Sequence, residues 1–216
     1  MRVNYKIDWS ALAKMNGSKS LSPKKFKILD TALKIIGEKG LYHLSVTEIS
    51  HQANISKPLI LYHYETKDRI IEDLLFYIYK MGEFFNFELA DLDDSFENKI
   101  RALVRGYFRW YLFNKQVSNF LILTPHLRDK SQNLINIFEH GEIQINRIWE
   151  KVFLESLRYR SMEELKISLF GVKSLLLGTL VQIIHSGDRK DYKDHSLRLK
   201  FNLENLLNVE LPSFEF

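Results

Sequence analysis

Three helix-start signals crowd into the stretch from Ser45 to Thr66, and they leave room only for short helices joined by tight turns. Ser45-Val46-Thr47-Glu48 has the form of a capping box, with a carboxylate three residues after the hydroxyl. Ser56 precedes Lys57-Pro58, a cap followed by proline in the first helical turn, where its missing N–H costs nothing. Thr66 caps a third, longer helix with Ile70, Leu74, Ile78 and Met81 on one face. Between the first two lies Asn54, among the non-glycine residues that best tolerate a left-handed backbone. Ile49, Ala53, Ile55 and Ile60 are spaced to meet across that turn, and Ser50 is small where two helices would cross. Together these features predict a helix-turn-helix.

The rest of the chain is also helical in its spacing. Of its 216 residues only four are proline and nine glycine, and no alternating strand pattern persists. Ser22-Pro23 opens a helix with Phe26, Leu29, Leu33 and Ile36 on one face, and Gly40 stops it. Beyond an acidic break, Asp94 or Ser95 caps a helix through Ile100, Leu103, Val104, Tyr107, Phe108 and Trp110. A short apolar segment ends at Thr124-Pro125. Ser131 starts a long helix through Leu134, Phe138, Ile145, Ile148 and Val152. Ser161-Met162-Glu163-Glu164 is a second capping box, opening a very apolar helix that ends near Gly187. The last helix covers about Tyr192 to Asn208. The expected fold is all-α with about nine helices. Residues 1–21 are expected to form a polar, mobile arm. Residues 22–67 are a three-helix DNA-binding domain that continues into a connecting helix from about 66. Residues 68–216 are expected to form a larger helical domain.

Charge is distributed unevenly. Residues 1–67 hold eleven Lys and Arg against five Asp and Glu, a net +6, while the remainder nets −2, giving +4 in all. A localised basic segment attracts a phosphate backbone, because neutralising phosphates releases counterions; a solvated basic tail would have the same composition. Lys6, Lys14 and Lys19 of the arm are candidates for further phosphate contacts. Cysteine is absent, which excludes disulfides and thiolate metal sites and fits a reducing, cytoplasmic setting. The start of the chain lacks the apolar core of a signal peptide. No stretch reaches the roughly 18 uncharged apolar residues of a membrane span, and "SLLLGTLVQIIHSG" reads as a buried helix. No HExxH, G-x-S-x-G, Gly-rich phosphate loop or paired metal ligands occur, so neither an enzyme nor a cofactor or metal is expected.

The stretch "ILDTALKIIGEKGLYHLSVTEISHQANISKPLILYHYETKDRII" resembles the TetR family of bacterial transcriptional regulators, over about Lys24 to Leu75. The resemblance rests on Ile28, Leu29, Ala32, Ile36, Gly40, Ser45, Val46, Ile49, Ala53, Ile55, Ser56, Lys57, Pro58, Ile60, His63, Tyr64, Thr66 and Lys67, in register without a gap. Three positions depart from the pattern: Asn54 replaces the turn glycine, Leu61 a tyrosine, and Tyr64 a closing phenylalanine. The implied recognition helix, Ser56 to Tyr62, would lie in a major groove and read base edges with its N-terminal residues. Lys57 is expected at a guanine edge or a phosphate, Pro58 and Leu59 at a thymine methyl, and Tyr62 at phosphate. His63 has two candidate roles, a phosphate contact or a cap inside the three-helix unit. Ser45 and Thr47 are placed for phosphate or base contacts, and Lys67 with the amides behind Thr66 forms a phosphate site. Whether Leu61 faces core or DNA stays open.

Such a unit binds as a dimer on a palindromic operator. The resemblance implies a four-helix interface from two C-terminal helices per subunit, with Leu169, Val172, Leu176, Thr179, Leu180, Ile183, Leu199, Leu203 and Leu206 as candidates, or else as the protomer's own core. Gly171 and Gly178 would permit close approach. Phe84, Phe85, Tyr107, Phe108, Trp110, Phe113, Phe120 and Phe138, with His126 and Gln144 as polar groups, supply either core or the walls of an effector pocket suited to an apolar or aromatic small molecule. The expected function is a dimeric repressor released by such an effector, which pivots the helix beginning at Thr66. The alternative is a family member that binds DNA without a small-molecule effector.

Overall fold

The structure, a computed structural model, describes residues 22–90, 94–123, 125–156, 161–186 and 191–215. The basic arm and the side chains of Phe84, Phe85 and His126 lie outside the described residues. Nine α-helices and two 3-10 turns, and no strand, are found among them. The helices are α1 (Pro23–Lys39), α2 (Val46–Ala53), α3 (Lys57–His63), α4 (Lys67–Ala90), α5 (Phe96–Phe113), α6 (Lys115–Leu123), α7 (Gln132–Glu155), α8 (Met162–Ser186) and α9 (Tyr192–Leu207).

Local chemistry explains most boundaries. The hydroxyls of Ser22, Ser45, Thr66, Ser95, Ser131 and Ser161 each accept an amide three residues on, at 3.1–3.3 Å, satisfying donors that a helix start leaves orphaned. Gly40 ends α1 at φ 87°, and Asn54 ends α2 at φ 51°, ψ 49°. One capping box is only half made. Ser45 accepts the Glu48 amide, but the Glu48 carboxylate turns away to accept from Lys39 Nζ at 2.8 Å and Gln52 Nε2 at 2.7 Å. Those two donors hold its carboxyl below the usual range, Lys39 being the stronger influence.

The helices gather into two compact units that do not follow the linear division expected at residue 67. The first runs to Gly82 and adds Tyr111–Glu142; the second is Glu83–Trp110 with Ile143–Phe216. The first is larger than the three-helix unit because α1 buries two sides. Ile28, Leu29, Ala32, Leu33, Ile35 and Ile36 are all buried. Its far end lies against α6 so closely that a Cβ on Gly37 would come within 2.7 Å of the Gln116 Cα. Asn119 Nδ2 donates to the Gly37 carbonyl at 2.8 Å. In the same unit Gly141 of α7 leaves room for the Tyr79 ring of α4; a Cβ there would sit 2.4 Å from that ring.

The second unit buries Ile100, Leu103, Val104 and Phe108 of α5 with Trp149, Val152 and Phe153 of α7 and one face of α8 and α9. The Phe96 and Trp149 rings stack edge-on against Phe153, at 5.7 and 6.4 Å. By length and apolar composition α8 is sufficient to cross a membrane, contrary to the expectation drawn from its central segment. Its girth resolves into two stripes. Leu165, Leu169, Val172, Leu176, Leu180 and Ile183 face inward and are buried. Ile167, Phe170, Leu177 and Val181 face out and are exposed. A helix apolar all round belongs in a core, and here only the inward stripe is buried.

Candidate nucleic-acid interface and the outward faces

The three-helix unit presents α3 to solvent on one side and fastens it on the other. Ile60 is its single buried residue. Tyr64, the helix C-cap, is buried as well, its amide bonded to the Ile60 carbonyl at 2.8 Å. The opposite side carries Lys57 and Pro58, both exposed, Leu61 at 45% exposure and Tyr62 at 81%. Leu61 is therefore not core. Leu59 is half-buried between the two sides. Ser56 occupies the N-cap position, yet its hydroxyl makes no capping bond, contrary to the cap expected there. That hydroxyl stays available while the Leu59 and Ile60 amides bond its carbonyl.

Ser45 and Thr47 are exposed at the start of α2, and Lys67 is exposed at the start of α4. Among the described residues neither Lys57 nor Lys67 has an ion-pair partner. His63 is half-buried, with its ring edge-on to Tyr62 at 5.3 Å. Its Nε2 is enclosed and meets no hydrogen-bond partner, so that nitrogen does not face an external phosphate. One feature of this surface escaped sequence reasoning: Tyr42, in the 3-10 turn Leu41–His43, is 95% exposed with its ring edge-on to His43. No helical period marks so short a turn.

Behind α3 the substitution of tyrosine for the family's phenylalanine has an electrostatic consequence. The Tyr64 hydroxyl is enclosed beside Asp73 of α4 without an acceptor at bonding geometry, and burial drives it far above the usual phenol range. Lys25 Nζ stands 5.0 Å from the Tyr64 ring centroid. Burial also raises the Asp73 carboxyl, outweighing the Tyr64 hydroxyl and the Lys25 charge, which lower it. A carboxyl raised in the folded state contributes most below its unfolded value, and that contribution is lost as pH rises through the raised one. Asp73→Asn mimics the protonated form. It should raise the melting temperature at neutral pH, with a gain that shrinks toward acid pH; thermal melts at several pH values check this, and a loss at neutral pH would contradict it.

The residues expected at the dimer interface need correcting. Leu169, Val172, Leu176, Leu180, Ile183, Leu199 and Leu203 are buried within the protomer, where α8 packs on α9. Gly171 does permit close approach, but to Leu206 of the same chain, while a Cβ on Gly178 would meet open space. Thr179 is half-buried, and Leu206 retains partial exposure. The unpartnered face is the other one, with Ile167, Phe170, Leu177 and Val181 of α8 and Leu197 and Phe201 of α9. Their spacing at 167, 170, 177 and 181 is itself a heptad-like signal, readable once the inward stripe is set aside.

The aromatic set does not form one wall. Phe120 and Phe138 are buried in the first unit, and Phe108 and Trp110 in the second, where Tyr107 and Gln144 are half-buried. Phe113, at the end of α5, is 65% exposed, so it lines no interior. Among the described residues no cluster of three metal-ligating side chains occurs.

A short helix fastened by one isoleucine, following a left-handed Asn turn and carrying unpaired lysine and tyrosine outward, defines a helix-turn-helix DNA-binding protein. Residues 28–74 match the family described as bacterial regulatory proteins, tetR family. The chain is 18% identical over 190 residues to the HTH-type transcriptional regulator BetI of Yersinia pestis, covering 87% of this chain and 94% of BetI. Among solved structures it is similar to the fatty acid degradation regulator FadR from Bacillus halodurans, with a TM-score of 0.71 and 16% identity over 88% of this chain and 97% of that one. FadR from Bacillus subtilis in complex with stearoyl-CoA gives 0.68 and 15%, over 84% and 96%. A regulator from Saccharomonospora viridis in complex with choline gives 0.65 and 15%, over 87% and 95%. Residues 28–74 thus match the DNA-binding domain of TetR-family regulators, and over most of its length the chain is similar to proteins described as transcriptional regulators.

Proposed function

We propose that the protein is a cytoplasmic, dimeric repressor that binds a palindromic operator and is released by a small apolar or aromatic molecule. The observation that carries the reading is the outward side of α3, where Lys57, Pro58, Leu61 and Tyr62 are exposed around one buried anchor. In this reading Lys57 reads a base edge or phosphate, Pro58 and Leu59 approach thymine methyls, and Tyr62 holds the backbone. Ser45, Thr47, the free Ser56 hydroxyl and Lys67 add backbone contacts, the last beside the first-turn amides of α4. His63 acts from inside the unit. The outward stripe of α8, with Leu197 and Phe201 of α9, is covered by the same face of a second copy.

The effector is taken up in the second compact unit, near Tyr107 and Gln144. Family relatives in complex with stearoyl-CoA and choline support a small-molecule effector of some kind. Occupancy acts through α4, which begins directly after the recognition helix. An effector that prefers the DNA-free state by about 1–3 kcal/mol changes operator affinity about 5–150-fold. A regulator of the same fold controlled by a protein partner is the second reading, and a thermal-shift screen in which no apolar or aromatic molecule raises the melting temperature would favour it.

Binding to duplexes selected from a randomised pool tests the proposal. Sequence-preferring, salt-dependent binding is expected, and its absence would overturn the reading. Lys67→Ala should weaken binding evenly across sequences and lower the log–log salt slope by about 1, whereas Lys57→Ala should cost about 1–3 kcal/mol and relax one base position. Leu61→Tyr, at an exposed position, should leave the melting temperature unchanged and tighten binding in an anisotropy titration.

A further inference from the structure

Glu72 is an acidic residue only 6% exposed, a state that charged side chains reach only when paired. It lies in the second turn of α4, the helix that follows the recognition helix. Its Oε2 accepts from Asn133 Nδ2 at 2.6 Å and from Arg69 Nη1 at 2.8 Å, and its Oε1 accepts from the Ser131 hydroxyl at 3.2 Å. Ser131 is at the same time the N-cap of α7, accepting the Leu134 amide at 3.1 Å. One buried carboxylate thus ties the first turns of α4 to the first turn of α7. The chain leading into α7 comes from α6, which is held against α1 through Asn119 and Gly37. The segment from α6 to α7 therefore braces the three-helix unit at α1 and at α4.

We propose that Glu72 is a positioning residue for DNA recognition, fixing the start of α4, and with it the exit of α3, through Ser131 and Asn133. The proposal rests on the DNA-binding reading above. If the start of α7 moved away, Glu72 would keep only Arg69 and would leave a buried charge short of donors. Intermediate positions are penalised, so the joint is either made or broken.

The test compares Glu72→Met, Glu72→Gln and Asn133→Ala with the unmodified protein, by melting temperature and by anisotropy on a duplex selected with the unmodified protein. Methionine removes the buried charge at similar volume, so the melting temperature should hold or rise. Removing a negative charge would by itself tighten binding to a polyanion. A positioning role predicts the opposite sign: Glu72→Met should weaken binding about tenfold or more, at an unchanged salt slope. Glu72→Gln, which keeps an acceptor for Asn133, should restore most of that loss. Affinity of Glu72→Met at or above that of the unmodified protein would overturn the proposal. Should Glu72→Met fail to fold, Asn133→Ala decides alone: Arg69 and Ser131 still reach the carboxylate, so a lowered but measurable melting temperature and weaker binding well below the transition are expected, whereas unchanged binding overturns the role. Failure of the unmodified protein to select any duplex would instead sink the DNA-binding reading itself.

Discussion

Ile60→Ala should lower stability by about 2–5 kcal/mol and abolish sequence-preferring DNA binding. The magnitude is that of removing a fully buried aliphatic side chain, and Ile60 has no exposed surface at all. The functional loss follows from the helix it sits on. α3 has seven residues, far too few to persist in water without tertiary support. Its buried anchors are Ile60 within it and Tyr64 at its C-cap. An alanine leaves Lys57 and Tyr62 attached to a helix that no longer has a defined seat against α2. Denaturant unfolding measures the first effect and anisotropy on selected duplexes the second. A stability loss under about 1 kcal/mol would mean that the site collapses easily or that α3 is held elsewhere.

With the outward stripe of α8 joining two copies as proposed, Phe170→Glu should give a monomer and reduce operator affinity by about a thousandfold or more, toward the non-specific level. Phe170 is 75% exposed in the protomer, so the substitution costs the isolated fold little. In a two-fold interface it occurs twice, placing two carboxylates in a patch otherwise made of Ile167, Leu177 and Val181. Two half-sites bound by unlinked monomers lose the gain that linkage supplies. Sedimentation or light scattering checks the oligomeric state, and circular dichroism checks that the monomer remains helical. A Phe170→Glu protein that stays dimeric would remove the outward stripe from the interface. By contrast, a substitution at Val172 or Leu176 should damage the protomer itself, because both are buried against its own core.

Much of this architecture is written in local chemistry. A serine or threonine ahead of a helix, Gly40 and Asn54 at positive φ, and Pro23 and Pro58 in first turns act within a few residues, so they could be read without knowing the fold. The same holds for Ile60 against Lys57 and Tyr62, because neighbours on a two-turn helix must point to different sides. Leu61 was harder: adjacent apolar residues leave the rotation of a short helix undetermined, and only the packing of α3 turns Leu61 outward. The Glu48 carboxylate likewise obeyed Lys39, nine residues away, over its own cap.

The order of the helices, their starts and stops, and the turn that makes a helix-turn-helix were determined by the sequence, because hydrogen-bond capping and the 3.6-residue period are properties of neighbouring residues. Three decisions belonged to the tertiary structure. It selected which apolar stripe of α8 packs inward and which stays exposed. It distributed the aromatic residues over two compact units. It buried Glu72 among donors from α4 and α7 that lie about sixty residues apart in the chain. Each depends on which surface meets which across the folded chain, and a periodicity marks a face as apolar without saying what will cover it.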